Sequence, residues 1–157
     1  MDIRYLEESD YGPIIRVIDS WFEGRQLAKL LPRIFFIHFR STSFALYEDN
    51  KVIGFLAGFV SQTDPSQAYI HFVAINPDHQ KRGLGRQLYS TFFETVHRLG
   101  CTTVRCITSP INTRSIAFHT RMGFKVEHIT GECSGVPRTV NYELNGADRV
   151  LFVRSLP

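Results

Sequence analysis

The chain has 157 residues, 43% of them hydrophobic and 21% charged, with a formal net charge of +3. A chain of this length buries about two-thirds of its surface without disulfide or metal staples, so one domain over residues 1 to 157 is expected. The basic residues are dispersed, with only Lys81, Arg82 and Arg86 close together, and no aromatic-interleaved basic ribbon accompanies them, which argues against a nucleic-acid partner.

Residues Met1 to Ser20 hold no basic-then-apolar signal pattern, and no apolar run approaches a membrane span, so a cytoplasmic protein with no membrane partner is expected. Ile3 to Leu6 alternates like a first strand. Ser9 or Asp10 then caps a helix whose Ile14, Ile15, Val17 and Ile18 face inward, with Pro13 in its first turn. A second helical run, about Gln26 to Phe39, is apolar enough to be mostly buried, with Pro32 starting or kinking it. Between the two, Trp21 to Arg25 exposes aromatics and a charge, as a loop beside an acceptor pocket would, or as simple edge packing.

Ser43 to Tyr47 and Val52 to Val60 read as a hairpin around Glu48 to Lys51, and the turn at Thr63 to Ser66 leads into a central strand, Tyr69 to Ile75. A helix from about Arg82 to Leu99 carries Leu84, Leu88, Phe92, Val96 and Leu99 on one face and stops at Gly100. Thr102 to Thr108 is β-branched and strand-like. Strand, helix and strand of this length make a right-handed parallel crossover, which puts the turn after Ile75 at the carboxyl end of a strand, where α/β sheets collect ligands. Phe124 to Ile129 and Val150 to Arg154 read as late strands joined by a long polar segment, Thr130 to Arg149, of the kind that is often functional or mobile. The three cysteines, an odd number, read as free thiols. His97, Cys101 and Cys106 lack metal-site spacing and a nearby fourth ligand, so no metal is expected.

Two segments carry chemistry. Gln80-Lys81-Arg82-Gly83-Leu84-Gly85-Arg86 joins the central strand to the long helix through a basic, glycine-containing turn. A helix N-terminus offers unpaired N–H groups and the positive end of its dipole, and glycine lets a phosphate approach the main chain. A dinucleotide fingerprint needs a third glycine where Leu88 stands, and a P-loop needs Gly-Lys-Ser/Thr, which is absent. Downstream, Asn112 or Thr113 can cap a short helix containing Ser115, Ile116, Ala117, Phe118 and His119, and Gly123-Phe124 closes it.

The Gln-x-x-Gly-x-Gly turn after a strand, followed by the segment from Asn112 to the closing Gly123-Phe124, resembles the two signatures of the GNAT superfamily of acyl-CoA-dependent N-acyltransferases. The likeness is close from Tyr69 to Phe124 and loose at the flanks. It implies an α/β fold with a mixed, mostly antiparallel sheet, a splayed parallel strand pair and helices on both faces. It implies acetyl-CoA as acyl donor and no metal, with transfer to a primary amine by direct attack in a ternary complex. Carried over by position, Val73, Ala74 and Ile75 would hydrogen-bond the pantetheine arm, with a backbone N–H near Val73 or Ala74 as oxyanion donor. Gln80, Lys81, Arg82, Gly83, Leu84, Gly85 and Arg86 would hold the pyrophosphate. Asn112 and Ser115 would meet the pantetheine or thiol end.

The acid and base depart from the family pattern. Where many relatives carry a tyrosine that protonates the leaving thiolate, this chain has His119, either a replacement acid or a ring that only packs. Where many carry a glutamate base it has His71, expected on the same face as Val73 and Ile75, either a base or a satisfied core histidine; a second family position for that glutamate is Ile107. The loss of both usual groups leaves a second reading open, a catalytically weak acyl-CoA sensor. No serine or cysteine elbow supports thioester hydrolysis. The acceptor, a small-molecule or protein amine, and the choice between monomer and homodimer stay open.

Overall fold

The computed structural model describes residues 1–157. Nine strands and four α-helices follow one another as β1 (Asp2–Tyr5), α1 (Tyr11–Trp21), α2 (Ile34–His38), β2 (Phe44–Glu48), β3 (Lys51–Val60), β4 (Gln67–Ile75), α3 (Leu84–Arg98), β5 (Thr103–Thr108), α4 (Thr113–Arg121), β6 (Lys125–Glu127), β7 (Gly131–Cys133), β8 (Val136–Arg138) and β9 (Val150–Ser155). Seven strands form one sheet in the order β1-β2-β3-β4-β5-β9-β6, and β7 and β8 form a separate hairpin. Every pairing in the sheet is antiparallel except that of β4 with β5, the mixed α/β arrangement expected from the sequence.

Each sheet face has its own core. On one, α3 lays Leu84, Leu88, Phe92 and Val96 over Leu56, Ile70, Val104 and Phe152; on the other, Ile14 and Ile18 of α1 and Phe35 and Phe36 of α2 cover Phe55, Ala57 and Ala74. Each fully buried Leu or Phe in these layers contributes roughly 1.5–3 kcal/mol. The hairpin between β2 and β3 turns on two residues only, Asp49 and Asn50, at φ of 49° and 59°, a geometry that matches strand twist and that Asn and Asp tolerate.

Several expectations change. The run from Gln26 to Phe39 is not one buried helix: Asp19 takes the N–H groups of Leu27 and Ala28 with its carboxylate, a 3-10 turn follows at Ala28–Leu30, and α2 spans only five residues, with Ile34 and Ile37 exposed. Asp10 does not cap α1. Its carboxylate is taken instead by Arg4 at 2.8 and 2.9 Å, by the Tyr47 hydroxyl and by the Glu7 N–H at 2.8 Å. Leu99 lies beyond the last turn of α3 and is exposed. The segment from Thr130 to Arg149 contains the β7–β8 hairpin, turning on Ser134 and Gly135 at positive φ.

Candidate active site

β4 and β5 run side by side only where Gln67, Ala68 and Tyr69 face Thr103, Val104 and Arg105. Beyond that point β4 stays with β3 and β5 stays with β9, so the strands part and the edge of β4 from Ile70 to Ile75 that faces β5 has no ladder partner. Backbone N–H and C=O groups on such an edge need partners, and an amide-bearing ligand lying along it supplies them. Val73, Ala74 and Ile75 are on this stretch.

A bulge marks the point of divergence. Ile70 pairs with Gly58 and Phe72 with Ala57, which leaves His71 as the extra residue and breaks the alternation of side chains. His71 therefore does not share a face with Val73 and Ile75, which pack toward α3. Its ring lies over Phe35 on the α1/α2 side, with centroids 4.4 Å apart and 6° between planes, and its Nε2–H donates to the Leu30 carbonyl at 2.5 Å. In that tautomer Nδ1 carries the lone pair.

The same strand ends at a tight turn that leads into α3. The Asn76 side chain accepts the Asp78 N–H at 3.0 Å, Lys81 and Gly83 adopt φ of 63° and 77°, and α3 begins at Leu84. The N–H groups of Lys81 through Arg86 have no backbone acceptor, the first such bond of the helix being that of Gln87 to Gly83. Unpaired N–H groups at the start of a four-turn helix are the groups to which phosphate oxygens bind in general. Gly83 supplies the left-handed turn. Gly85 has another duty: a Cβ there would lie 3.3 Å from the Phe118 ring, so its smallness seats α3 against α4.

The charges around this turn are partly spoken for. Arg82 forms a fork with the Glu48 carboxylate at 2.7 and 3.1 Å and donates to His79 Nδ1 at 2.6 Å, tying the turn to the β2–β3 hairpin, and the Arg82 hydrogen bonds hold the Glu48 carboxyl below the usual range. Lys81 and Arg86 are exposed. Gln80 accepts from Arg114 of α4 at 2.6 Å, so Arg114 joins the rim. Arg114 has no motif signal of its own, although it stands two residues after Asn112.

On α4, the Asn112 side chain caps the helix by accepting the Ser115 N–H at 3.2 Å. His119 is buried. Its Nδ1–H donates to the Ser115 carbonyl at 2.7 Å, with Ser115 Oγ at 3.2 Å; its Nε2 accepts from the Tyr89 hydroxyl at 2.8 Å; and the ring stacks on Phe152 at 4.7 Å. Burial pushes its pKa down, outweighing the hydrogen bond to Ser115 that pulls it up. The expected acid is thus a neutral imidazole with both nitrogens engaged. Its partner Tyr89, whose phenol burial pushes well up, was not singled out by sequence because it reads as one more apolar position of α3.

On the opposite side of the sheet, Leu30, Glu143, Leu144, Asn145 and Arg149 line a depression of about 400 Å³. It brings the polar segment before β9 to the residue whose carbonyl holds His71. The loop from Trp21 to Arg25 contributes Phe22, edge-on to Phe72 at 6.0 Å, with the Arg25 guanidinium over Phe22 at 5.5 Å.

A sheet that opens between its two parallel strands beside a glycine-containing helix start is the arrangement that the sequence resemblance implies, and comparison with known proteins supplies the family. The pattern of the acetyltransferase (GNAT) family matches residues 5–124, and the chain belongs to that family. It is 29% identical over 79 residues to the L-2,4-diaminobutyric acid acetyltransferase of Nocardia farcinica, a match covering 50% of this chain and 41% of that one. It is 27% identical over 85 residues to the [ribosomal protein bS18]-alanine N-acetyltransferase of Escherichia coli, covering 54% and 55%. The chain thus spans about half the length of these relatives. Its fold is similar to that of yncA, a putative acetyltransferase from Salmonella typhimurium solved with its cofactor acetyl-CoA, with a TM-score of 0.72 at 18% identity over 100% of this chain and 94% of that one.

Proposed function

We propose that residues 1–157 form a single N-acetyltransferase domain that moves an acetyl group from acetyl-CoA to a primary amine by direct attack in a ternary complex. The observation that carries this is the open edge of β4, which leads from the bulge at His71 straight to the free N–H groups at the start of α3. Val73, Ala74 and Ile75 would pair with the pantetheine amides. Gln80, Lys81, Gly83, Leu84, Gly85 and Arg86 would surround the pyrophosphate, with Arg82 joining them by exchanging Glu48 for phosphate. Asn112 and Ser115 would line the thiol end.

Attack by the neutral amine forms the new C–N bond and puts negative charge on the carbonyl oxygen, which a backbone N–H just past the bulge, at Val73 or Ala74, would stabilise. Collapse breaks the C–S bond and expels thiolate, and the positively charged nitrogen gives its surplus proton to water as the amide forms. His71 faces the acceptor side with Nδ1 as its lone-pair nitrogen, which suits a base taking the proton from the incoming ammonium, directly or through water. His119 is better suited to position α4 and Ser115 than to give up a proton, so the departing sulfur takes its proton from solvent. Free thiols, and the lack of any helix long and apolar enough to cross a membrane, accord with work in the cytoplasm.

The test is thiol release from acetyl-CoA across a panel of amines. Amine-dependent release is expected, and His71→Ala should lower kcat/KM by about a hundredfold with acetyl-CoA affinity nearly unchanged. The doubly engaged His119 favours the sensor reading as the alternative. Tight acetyl-CoA binding with no release for any amine would establish it.

A further inference from the structure

Resting on the acyl-transfer reading, we propose that the acceptor is a small amino acid, its carboxylate held by Arg149 and its ammonium received by Glu143 in the depression beside Leu30. The two groups face each other there at 3.6 Å, Nε to Oε1, with 28% and 41% of their side chains exposed. That separation is too long for a hydrogen bond, and such an exposed pair is worth only about 0–1 kcal/mol, so a ligand exchanges it readily.

The neighbouring charges are already committed. Asp148 receives Arg138 at 3.4 Å and the Asn141 N–H at 2.9 Å, while Arg138 also donates to the carbonyls of Cys133 and Val136. By contrast the Glu143 carboxylate accepts no hydrogen bond, and Arg149 uses only one guanidinium nitrogen, donating to the Asp148 carbonyl at 2.8 Å. Both spare groups are held in place by main-chain bonds: Glu143 by its N–H to Ala147 and by Gly146, and Arg149 by reciprocal bonds with Thr139.

An amine of one sign alone fits poorly, because Arg149 repels a polyamine. A molecule carrying both charges on a few carbons satisfies both groups, with the fork of Arg149 matched to a carboxylate. The depression has the volume of a small-molecule site, and its Leu30 wall touches His71 through the carbonyl, so an amine bound there lies on the base's side of the sheet. A protein N-terminus offers no α-carboxylate, since that carboxyl carbon is in a peptide bond.

The experiment compares L-alanine, L-lysine and L-2,4-diaminobutyrate with their carboxamides, and with a tripeptide, in thiol release at saturating acetyl-CoA. At least one free acid should exceed its amide by about tenfold or more in kcat/KM, and Arg149→Gln should abolish the difference while Arg149→Lys keeps part of it. Glu143→Gln should raise the KM for the acid. Equal use of acid and amide overturns the proposal, as does preference for the tripeptide, which would point to a protein acceptor. Calorimetric titration of the CoA-loaded protein with the same acids separates the two readings. Binding that Arg149→Gln removes, without thiol release, would leave this site standing and overturn only the transfer reaction; no binding and no release would overturn the site.

Discussion

Enclosed by Tyr89, Phe124 and Phe152, the His119 ring resists protonation that an unfolded chain accepts near its ordinary pKa of about 6.5. Because the folded value is depressed, the native state binds fewer protons than the unfolded one below that pH, and stability falls as pH drops from about 6.5 toward the folded value. Urea midpoints should therefore fall between pH 7.5 and 5.5, and His119→Gln, which keeps an acceptor for Tyr89 but cannot titrate, should flatten part of that slope. His119→Phe should cost about 1–3 kcal/mol by orphaning the buried Tyr89 hydroxyl, and adding Tyr89→Phe should recover much of the loss. A second buried titratable group acts further into the acid range. Burial pushes the Asp10 carboxyl up, but Arg4, Tyr47 and the Glu7 N–H together pull it below the usual range. The stability it provides is full above about pH 4 and is lost as pH falls through the folded value. Asp10→Ala should cost about 2–4 kcal/mol in denaturant unfolding at pH 7, since it frees Arg4 and leaves Tyr47 without its acceptor.

At the level of elements, the bulge depends on β3 as much as on β4. A Cβ on Gly58 would come within 2.5 Å of the Phe92 ring and 2.9 Å of the Tyr69 carbonyl, so Gly58→Val should destabilise by about 1–3 kcal/mol and displace His71, read as lowered stability together with a raised acceptor KM. How far the elements were legible follows from the range of the forces that set them. The β2–β3 hairpin and α3 are local: Asp49-Asn50 dictates its own turn, and Leu84, Leu88, Phe92 and Val96 recur at helical spacing. The glycine-containing turn and the start of α3 were legible for the same reason, since Gly83, Gly85 and Leu84 adjoin in sequence. The stretch from Gln26 to Phe39 was not, because Asp19 pins its first residues from another element and leaves too little chain for a long helix. The orientation of His71 was set by a register shift across the sheet, for which Gly58 in mid-strand was the one local hint. Arg82 with Glu48 and Tyr89 with His119 stand 34 and 30 residues apart, beyond any local pattern.

For the whole molecule, a ligand lying between β4 and β5 should raise stability by mass action, about 2.7 kcal/mol at a hundredfold excess over Kd. Acetyl-CoA should accordingly raise the melting temperature by several degrees. Gly83→Asp should abolish that rise, because it sets a carboxylate and a strained φ in the proposed pyrophosphate site, where nothing lies within 4 Å of the added Cβ. Gly85 is the poorer test, since its substitution also pries α4 from α3.

Three paired residues at Gln67–Tyr69 and Thr103–Arg105 are all the sheet hydrogen bonding between the half that carries β1 to β4 and the half that carries β5, β9 and β6. In mechanical terms this is a seam. Loaded in tension across it, the protein should tear there first, at a force that rises when donor bridges the gap. Cut at Gly100, between α3 and β5, it should part into two complementing fragments whose reassembly reports the acetyl-CoA concentration.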